Sequence, residues 1–180
     1  MMLEIFSKRQ SVRAYADTAV EREKIERCLE AARLAPSACN SQPWRFVVID
    51  EPQLRKKVSE NIHDPVLKMN RFALQAPILV ALIAEKPILM AQIAGFFKNK
   101  PYNLIDIGMA AENFCLQAVE EGLGTCVIGW FKEKAIKRLL QVPDQKRIPL
   151  MITLGYPATP ELRTKVRKPL DEIRAYNQWR

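Results

Sequence analysis

The sequence predicts an α/β sandwich, in which helices cover a central sheet. Runs of β-branched and other apolar residues predict strands at Arg45–Ile49, Ile78–Ala84 and Ile148–Leu154. Segments with a helical period of apolar residues separate these strands, and this alternation is typical of layered α/β folds. With 180 residues, the chain can bury a sizeable core, and we expect one domain over residues 1–180.

The composition is that of an ordinary soluble globular protein, with 48% hydrophobic and 27% charged residues. The longest apolar run, residues 76–84, is far shorter than the roughly 20 residues that cross a membrane. Residues 1–13 lack the charge order of a signal peptide. We therefore expect a cytoplasmic protein with no membrane partner.

Cysteine and histidine usage argues against a metal site or a disulfide framework. The four cysteines contain no Cys-x-x-Cys pair, and His63 is the only histidine. Cys28 falls on the apolar face of a predicted helix, where a thiol behaves as a small hydrophobe. We assign no chemistry to His63.

The net charge of +8 permits two interpretations. Nucleic-acid binding through the basic tail is one, and it predicts an affinity that falls steeply with salt. However, no recognition helix or aromatic platform accompanies the charge. Residues 160–180 hold six Lys or Arg against three acids, and a basic surface that attracts an anionic cofactor explains them. We expect no nucleic-acid partner.

Helices are predicted from periodicity and capping signals. Thr18–Glu21 fits a capping box, or a start one or two residues later, for a helix that ends near Leu34. Glu51-Pro52 begins the next helix. Asp64–Leu74 and Glu133–Leu140 are also predicted to be helical.

The central helix is predicted over Ile105–Glu121, which is apolar around most of its circumference. Gly122 is expected to end it in a left-handed conformation. Gly122-Leu-Gly124 is not a dinucleotide fingerprint, because the third glycine is missing and the strand Thr125–Trp130 follows.

Two short stretches carry the functional signal. Lys8–Arg13 places cations and a hydroxyl within six residues, which suits a phosphate or carboxylate, although a solvated basic turn has the same composition. Pro36–Trp44 places small polar side chains between two prolines. Its alternative interpretation is a hydrogen-bonded connection between a helix and a strand.

In chain order, these two stretches, Gly122–Gly129, Ile152–Pro157 and Lys165-Val-Arg167 resemble the nitroreductase family of FMN-dependent oxidoreductases. The resemblance spans nearly the whole chain. It implies an α+β fold whose central, mostly antiparallel sheet is flanked by helices. It also implies a homodimer with exchanged C-terminal tails and FMN at the subunit interface.

The resemblance further implies which residues contact FMN. Arg9, Lys165 and Arg167 would bind the phosphate, with Ser11 as a hydroxyl donor and Gln10 beside them. Arg13 resembles the basic residue that supports negative charge at the flavin N1–C2=O edge. Three positions would lie against the ring: Asn70, Ile128 and Gly129. The partner subunit would contribute a loop containing Pro36, Ser37, Asn40 and Gln42.

The family's chemistry implies a ping-pong reaction. NADH or NADPH reduces FMN, and an electron-poor acceptor such as a nitroaromatic or a quinone then takes the electrons. No side chain is assigned as a general acid. The alternative is a specialised family role: reductive dehalogenation, flavin fragmentation, or flavin sensing or storage.

Three further expectations concern the pocket cover, Glu112 and Cys39. Residues 85–101 should form an abbreviated substrate-pocket cover, in which Phe96 and Phe97 belong to a core or dimer stripe, or else line the pocket. Glu112 lies off the polar stripe of the central helix and should meet a cation, which a partner subunit could supply. Cys39 stands where relatives usually carry Ser, Thr or Gly, as a tolerated small residue or a redox-sensitive thiol.

Overall fold

A computed structural model describes residues 2–179. The four strands of its sheet are Trp44–Ile49 (β1), Ile78–Ala84 (β2), Gly124–Ile128 (β3) and Arg147–Gly155 (β4). Their order is β1-β2-β4-β3, and every neighbouring pair is antiparallel. The helices are Met2–Lys8 (α1), Arg22–Arg33 (α2), Pro52–Ile62 (α3), Leu89–Lys98 (α4), Tyr102–Glu120 (α5), Glu133–Leu139 (α6) and Leu170–Ile173 (α7). The expected α+β fold with an antiparallel sheet is confirmed.

Both faces of the sheet are covered, and β2, one of its two central strands, is apolar at every position. Ile78, Val80 and Leu82 belong to the core that packs against α2 and α5. Leu79 and Ala81 belong to the core on the opposite face, against α3 and α6. Successive side chains of a strand point to opposite faces. A strand buried on both sides therefore reads as a continuous apolar run, as this one does.

Helices α2 and α5 are joined by an ion pair as well as by their apolar faces. Arg27 Nε and Nη2 donate to the two carboxylate oxygens of Glu121, both at 2.7 Å. Gln117 Nε2 donates to the same carboxylate at 2.8 Å. The hydrogen bonds from Arg27 lower the pKa of Glu121 from 4.5 to about 2.

We expect Glu121→Gln to reduce stability at pH 7 and to have little effect near pH 2. A lowered folded-state pKa stabilises the native protein above the unfolded-state pKa, and this stabilisation is lost as the pH falls toward about 2. The loss at pH 7 should lie at or below about 1.5–3 kcal/mol, since half-exposed Arg27 is screened by solvent. Urea unfolding of both proteins at several pH values between 7 and 2 measures it.

Glu30→Gln provides the control, because the Glu30–Arg33 pair lies in the same helix and both side chains are exposed. Its unfolding free energy should stay close to that of the wild type at every pH, because an exposed ion pair contributes little. A Glu121→Gln penalty that stays constant down to pH 2 would contradict the assignment.

The predicted helix over 64–74 is wrong. Asp64 Oδ1 accepts the backbone N–H groups of Val66 and Leu67, both at 3.0 Å, and closes a turn around Pro65. Lys68 and Asn70 have positive φ, at 53° and 58°, which is incompatible with a continuing helix. Only a 3-10 turn at Arg71–Leu74 remains.

Element boundaries also differ from the predictions. Helix α2 begins at Arg22 with Glu21 as N-cap and no side-chain capping bond, so the Thr18–Glu21 capping box is not formed. Strand β3 ends at Ile128, two residues before the predicted end at Trp130. Gly122 follows α5 with φ 74°, and the predicted left-handed cap is confirmed.

Helix α4 lies in the segment expected to cover the pocket, and it is largely exposed. Phe96 and Phe97 are 84% and 78% exposed and stack edge-to-face on each other, so within one chain they are not core residues. Asn99 ends the helix in a left-handed conformation. None of the helices within residues 2–179 has the length and apolar character needed to traverse a bilayer.

Candidate active site

Strand β3 positions the stretch Lys8–Arg13, called the basic motif below. Ser11 forms a parallel bridge with Thr125, and the backbone N–H of Val12 donates to the Thr125 carbonyl at 2.8 Å. This approach requires a glycine at 124: a Cβ there would lie 2.4 Å from Val12 Cγ2 and 2.8 Å from Val12 Cβ. The glycine therefore lets residues 11–12 lie directly against the sheet.

A cavity of about 320 Å³ lies between the basic motif and the C-terminal tail. The tail has no regular secondary structure at residues 160–169. The cavity is lined by Arg9, Gln10, Ser11, Arg13, Arg163, Thr164, Lys165, Val166 and Arg167. Five of these nine residues are cations, so the cavity attracts an anion.

The cations around this cavity are partly immobilised by the protein itself. Lys165 Nζ donates to the Arg9 carbonyl at 2.6 Å. Burial lowers the pKa of Lys165, and the charges of Arg9, Arg167 and Arg163 lower it further. A bound anion would offset this repulsion. Arg9 Nε also lies 3.3 Å from Glu112 Oε1 on α5. This pair confirms the cation expected for Glu112 and places it in the same chain.

Arg163 is a cavity residue that the motifs did not reveal. Its backbone N–H donates to Gln10 Oε1 at 3.2 Å, and its Nη2 donates to the Ser11 carbonyl. It thereby ties the tail to the basic motif. The signal that could have revealed it is the alternation of cations at 163, 165 and 167, because alternate residues of an extended segment point the same way.

A second cluster adjoins the cavity at Arg13. The Arg13 guanidinium lies 6.0 Å from the centre of the Phe72 ring. Asn70 lies two residues before Phe72 and donates through Nδ2 to the Trp130 carbonyl at 2.9 Å. Trp130 Nε1 in turn donates to Asp64 Oδ2 at 3.2 Å. The structure thus brings Asn70 next to the chain that immediately follows Ile128 and Gly129, two positions assigned with it from sequence.

Residues 36–42 form a loop whose side chains bond to its own backbone and to each other. Ser37 Oγ accepts the Gln42 N–H at 2.9 Å, and Gln42 Nε2 donates to Asn40 Oδ1 at 3.1 Å. Cys39, Asn40 and Gln42 have φ of 54°, 53° and 45°, a conformation that costs about 1–2 kcal/mol per residue. The hydrogen-bonded connection is present, and its strained backbone is typical of ligand-contacting segments.

The structure brings six sequence-assigned residues to one cavity: Arg9, Gln10, Ser11, Arg13, Lys165 and Arg167. The loop containing Pro36, Ser37, Asn40 and Gln42 contributes nothing to the lining of that cavity. It packs instead near α4 and α5. The loop and the cavity are separate features within one chain.

The cysteines and His63 do not line this cavity. Burial raises the pKa of Cys28 to about 12 and that of Cys115 to about 11, as expected of a thiol that acts as a small hydrophobe. Cys39 is exposed. His63 Nδ1 pairs with the Met69 carbonyl at 3.0 Å. Within residues 2–179, no group of three His, Cys, Asp or Glu side chains could hold a metal ion.

Comparisons with known proteins agree with this architecture. A protein of Archaeoglobus fulgidus, whose name proposes an NADH dehydrogenase or NAD(P)H nitroreductase, is 30% identical over 161 residues, 86% of this chain and 84% of its own. The iodotyrosine deiodinase of Thermotoga neapolitana is 25% identical and aligns with 96% of this chain and 95% of its own. The solved structure of an FMN-dependent nitroreductase from Clostridium difficile R20291 is 27% identical, with 98% and 99% of the two chains covered and a TM-score of 0.78.

The family model described as "Nitroreductase family" matches residues 6–156. The match begins in α1, includes the basic motif and all four strands, and ends just before the tail that completes the cavity. The chain therefore belongs to the nitroreductase family and is an oxidoreductase.

Proposed function

We propose that the protein binds FMN and transfers electrons from NADH or NADPH to an electron-poor small molecule such as a nitroaromatic or a quinone. The observation that carries the proposal is the cavity with five cations, which adjoins the Asn70–Trp130 cluster through Arg13. The cationic cavity suits the phosphate end of a flavin mononucleotide, and the polar backbone near Asn70 and Trp130 suits its ring.

The residues fit the phosphate of FMN. Arg9, Lys165 and Arg167 supply the cations and Ser11 a hydroxyl donor, with Gln10 and Arg163 holding the two segments together. The pKa of Lys165 is lowered by partial desolvation and by the neighbouring cations. A dianionic phosphate would relieve that repulsion, which is the charge balance expected of a site built for an anion.

The protein would orient and tune the cofactor. Bound FMN would supply the hydride and electron chemistry that side chains lack. Arg13 would place a positive charge near the flavin N1–C2=O edge and thereby favour the reduced, anionic form. Asn70 and the backbone at Ile128 and Gly129 would contact the ring. No side chain is assigned to proton transfer.

We include a homodimer in the proposal. The loop containing Pro36, Ser37, Asn40 and Gln42 does not line the cavity of its own chain, so a second copy would have to supply it. Exposed apolar residues on α4 and on the tail are consistent with such an association, including Phe96, Phe97 and Val166.

The visible absorption spectrum of the purified protein, before and after NADH or NADPH is added without air, tests the proposal. We expect a yellow protein whose flavin absorption is lost on reduction and returns when a nitroaromatic or quinone is added. A colourless protein that does not take up added FMN would contradict the proposal. Flavin absorption that neither NADH nor NADPH bleaches would indicate a binding or specialised role.

Reductive dehalogenation is the second candidate, because the Thermotoga neapolitana relative named iodotyrosine deiodinase aligns with 96% of this chain. Incubation of the reduced protein with iodotyrosine, followed by measurement of released iodide, distinguishes the two. Iodide release that outpaces nitroaromatic and quinone reduction would favour this candidate.

A further inference from the structure

Asp106 on α5 is a buried carboxylate with an unusual partner. Asp106 is 2% exposed, and both of its carboxylate oxygens lie 3.2 Å from the backbone nitrogen of Ala38. Within residues 2–179, that single N–H is the only hydrogen-bond donor to reach it, and no cation pairs with it. A buried acid with one donor contributes little to stability. Its location points to a role in orienting the segment that it holds.

We propose that Asp106 is a positioning residue that holds the Ser37–Gln42 loop in the shape required for the flavin site. The inference rests on the proposed function, in which this loop contacts the FMN bound by a second copy. Ala38 begins the 3-10 turn of the loop, so its N–H fixes the backbone immediately before the left-handed residues Cys39 and Asn40.

The loop is anchored at both ends. Asp106 holds Ala38, and Ser41 Oγ accepts the backbone N–H of Ile88 at 2.9 Å. Ile88 is the N-cap of α4. Two anchors that flank a strained turn restrict it to one conformation, whereas internal bonds alone would leave its orientation relative to α5 undefined.

Helix α5 carries the attachments of both the loop and the cavity of its own chain. Glu112 lies six residues after Asp106 and forms an ion pair with Arg9, which lines the cavity with five cations. Six residues rise about 9 Å along a helix, so one rigid element carries both attachments. Burial raises the pKa of Asp106, which reflects the desolvation cost of keeping a carboxylate at this position.

Asp106→Leu tests the proposal, because it removes the acceptor while keeping the same branched arrangement of side-chain heavy atoms. Hydrogen exchange of residues 36–44 in the protein without added FMN reports on the loop, and FMN titration reports on the site. We expect exchange at Ala38 to accelerate and the Kd for FMN to rise, each by about tenfold or more, the effect of losing one hydrogen bond to a charged group.

Two further variants separate positioning from general stability. Asp106→Asn retains an acceptor without the charge, and we expect its exchange and its Kd to lie between those of the wild type and the Leu variant. Asn113→Ala is the matched control. Asn113 lies on the same helix and donates to the Ala31 carbonyl at 3.2 Å, so its removal should not change exchange at residues 38–42.

Unchanged exchange at Ala38 in Asp106→Leu would overturn the proposal, as would faster exchange with an unchanged Kd for FMN. If Asp106→Leu does not fold, Asp106→Asn decides the matter by the same two measurements. If the wild type takes up no FMN, the proposed function fails and the positioning role for flavin fails with it. Exchange at Ala38 then still shows whether the carboxylate holds the loop.

Discussion

Replacing Lys165 and Arg167 together by alanine is expected to weaken FMN binding by roughly 100-fold or more. Each hydrogen bond to a charged group contributes about 1.5–3 kcal/mol, and both side chains line the cavity that we assign to the phosphate. The fold should persist, because both residues lie in the tail, outside the two cores. Titration of the FMN-free protein with FMN, followed by fluorescence quenching, gives the Kd.

The matched control is Lys168→Ala/Arg174→Ala, which removes the same two charges from the same tail. Neither residue lines the cavity, and both are exposed. Its Kd should remain within a few-fold of the wild type, the small change expected from a weaker long-range field. Equal losses in the two double variants would mean that overall charge, and not this cavity, retains the cofactor.

The apolar strands and helices could be predicted from the sequence, because their burial follows directly from the spacing of their apolar residues. Strand β2 has the predicted bounds Ile78–Ala84, and both of its faces are covered. The cation cavity could also be anticipated, since Arg9, Ser11 and Lys165 occur in motifs with a recognisable charge pattern.

The misassigned elements are those whose conformation depends on polar side-chain contacts. Residues 64–74 have a composition compatible with a helix, but the Asp64 carboxylate bonds the following backbone N–H groups and starts a turn instead. The predicted capping box at Thr18 fails for a related reason. Polar residues at these positions indicate that a turn or a helix cap can form, and the tertiary packing determines which of them does.

Contacts between residues far apart in the chain could not be predicted from the spacing of residues in the sequence. Asp106 lies 68 residues after Ala38, and their contact depends on how α5 packs beside the loop. Arg163 was missed because its partners Gln10 and Ser11 lie more than 150 residues away along the chain. Glu112 was expected to meet a cation, but the sequence did not identify Arg9 as its partner.

Gly124→Ala is expected to destabilise the protein and to weaken FMN binding at the same time. The added Cβ would meet Val12 Cγ2 at 2.4 Å and Val12 Cβ at 2.8 Å. The β-branched Val12 side chain cannot rotate away freely, so the backbone that pairs Ser11 with Thr125 must move. Overpacking of this kind costs about 1–3 kcal/mol, which urea unfolding measures, and the displaced Ser11 should raise the Kd for FMN.

The double variant Gly124→Ala/Val12→Ala identifies the cause. Truncating Val12 removes the 2.4 Å conflict and leaves only the contact with its Cβ, so the double variant should lose less stability than the sum of the two single variants. It should also recover part of the FMN affinity, because the Val12 N–H can again approach the Thr125 carbonyl and return Ser11 to its place. Strictly additive losses of stability in the double variant would contradict this explanation. An unchanged Kd for FMN in Gly124→Ala would show that the close approach of residues 11–12 to β3 does not set the geometry of the cavity.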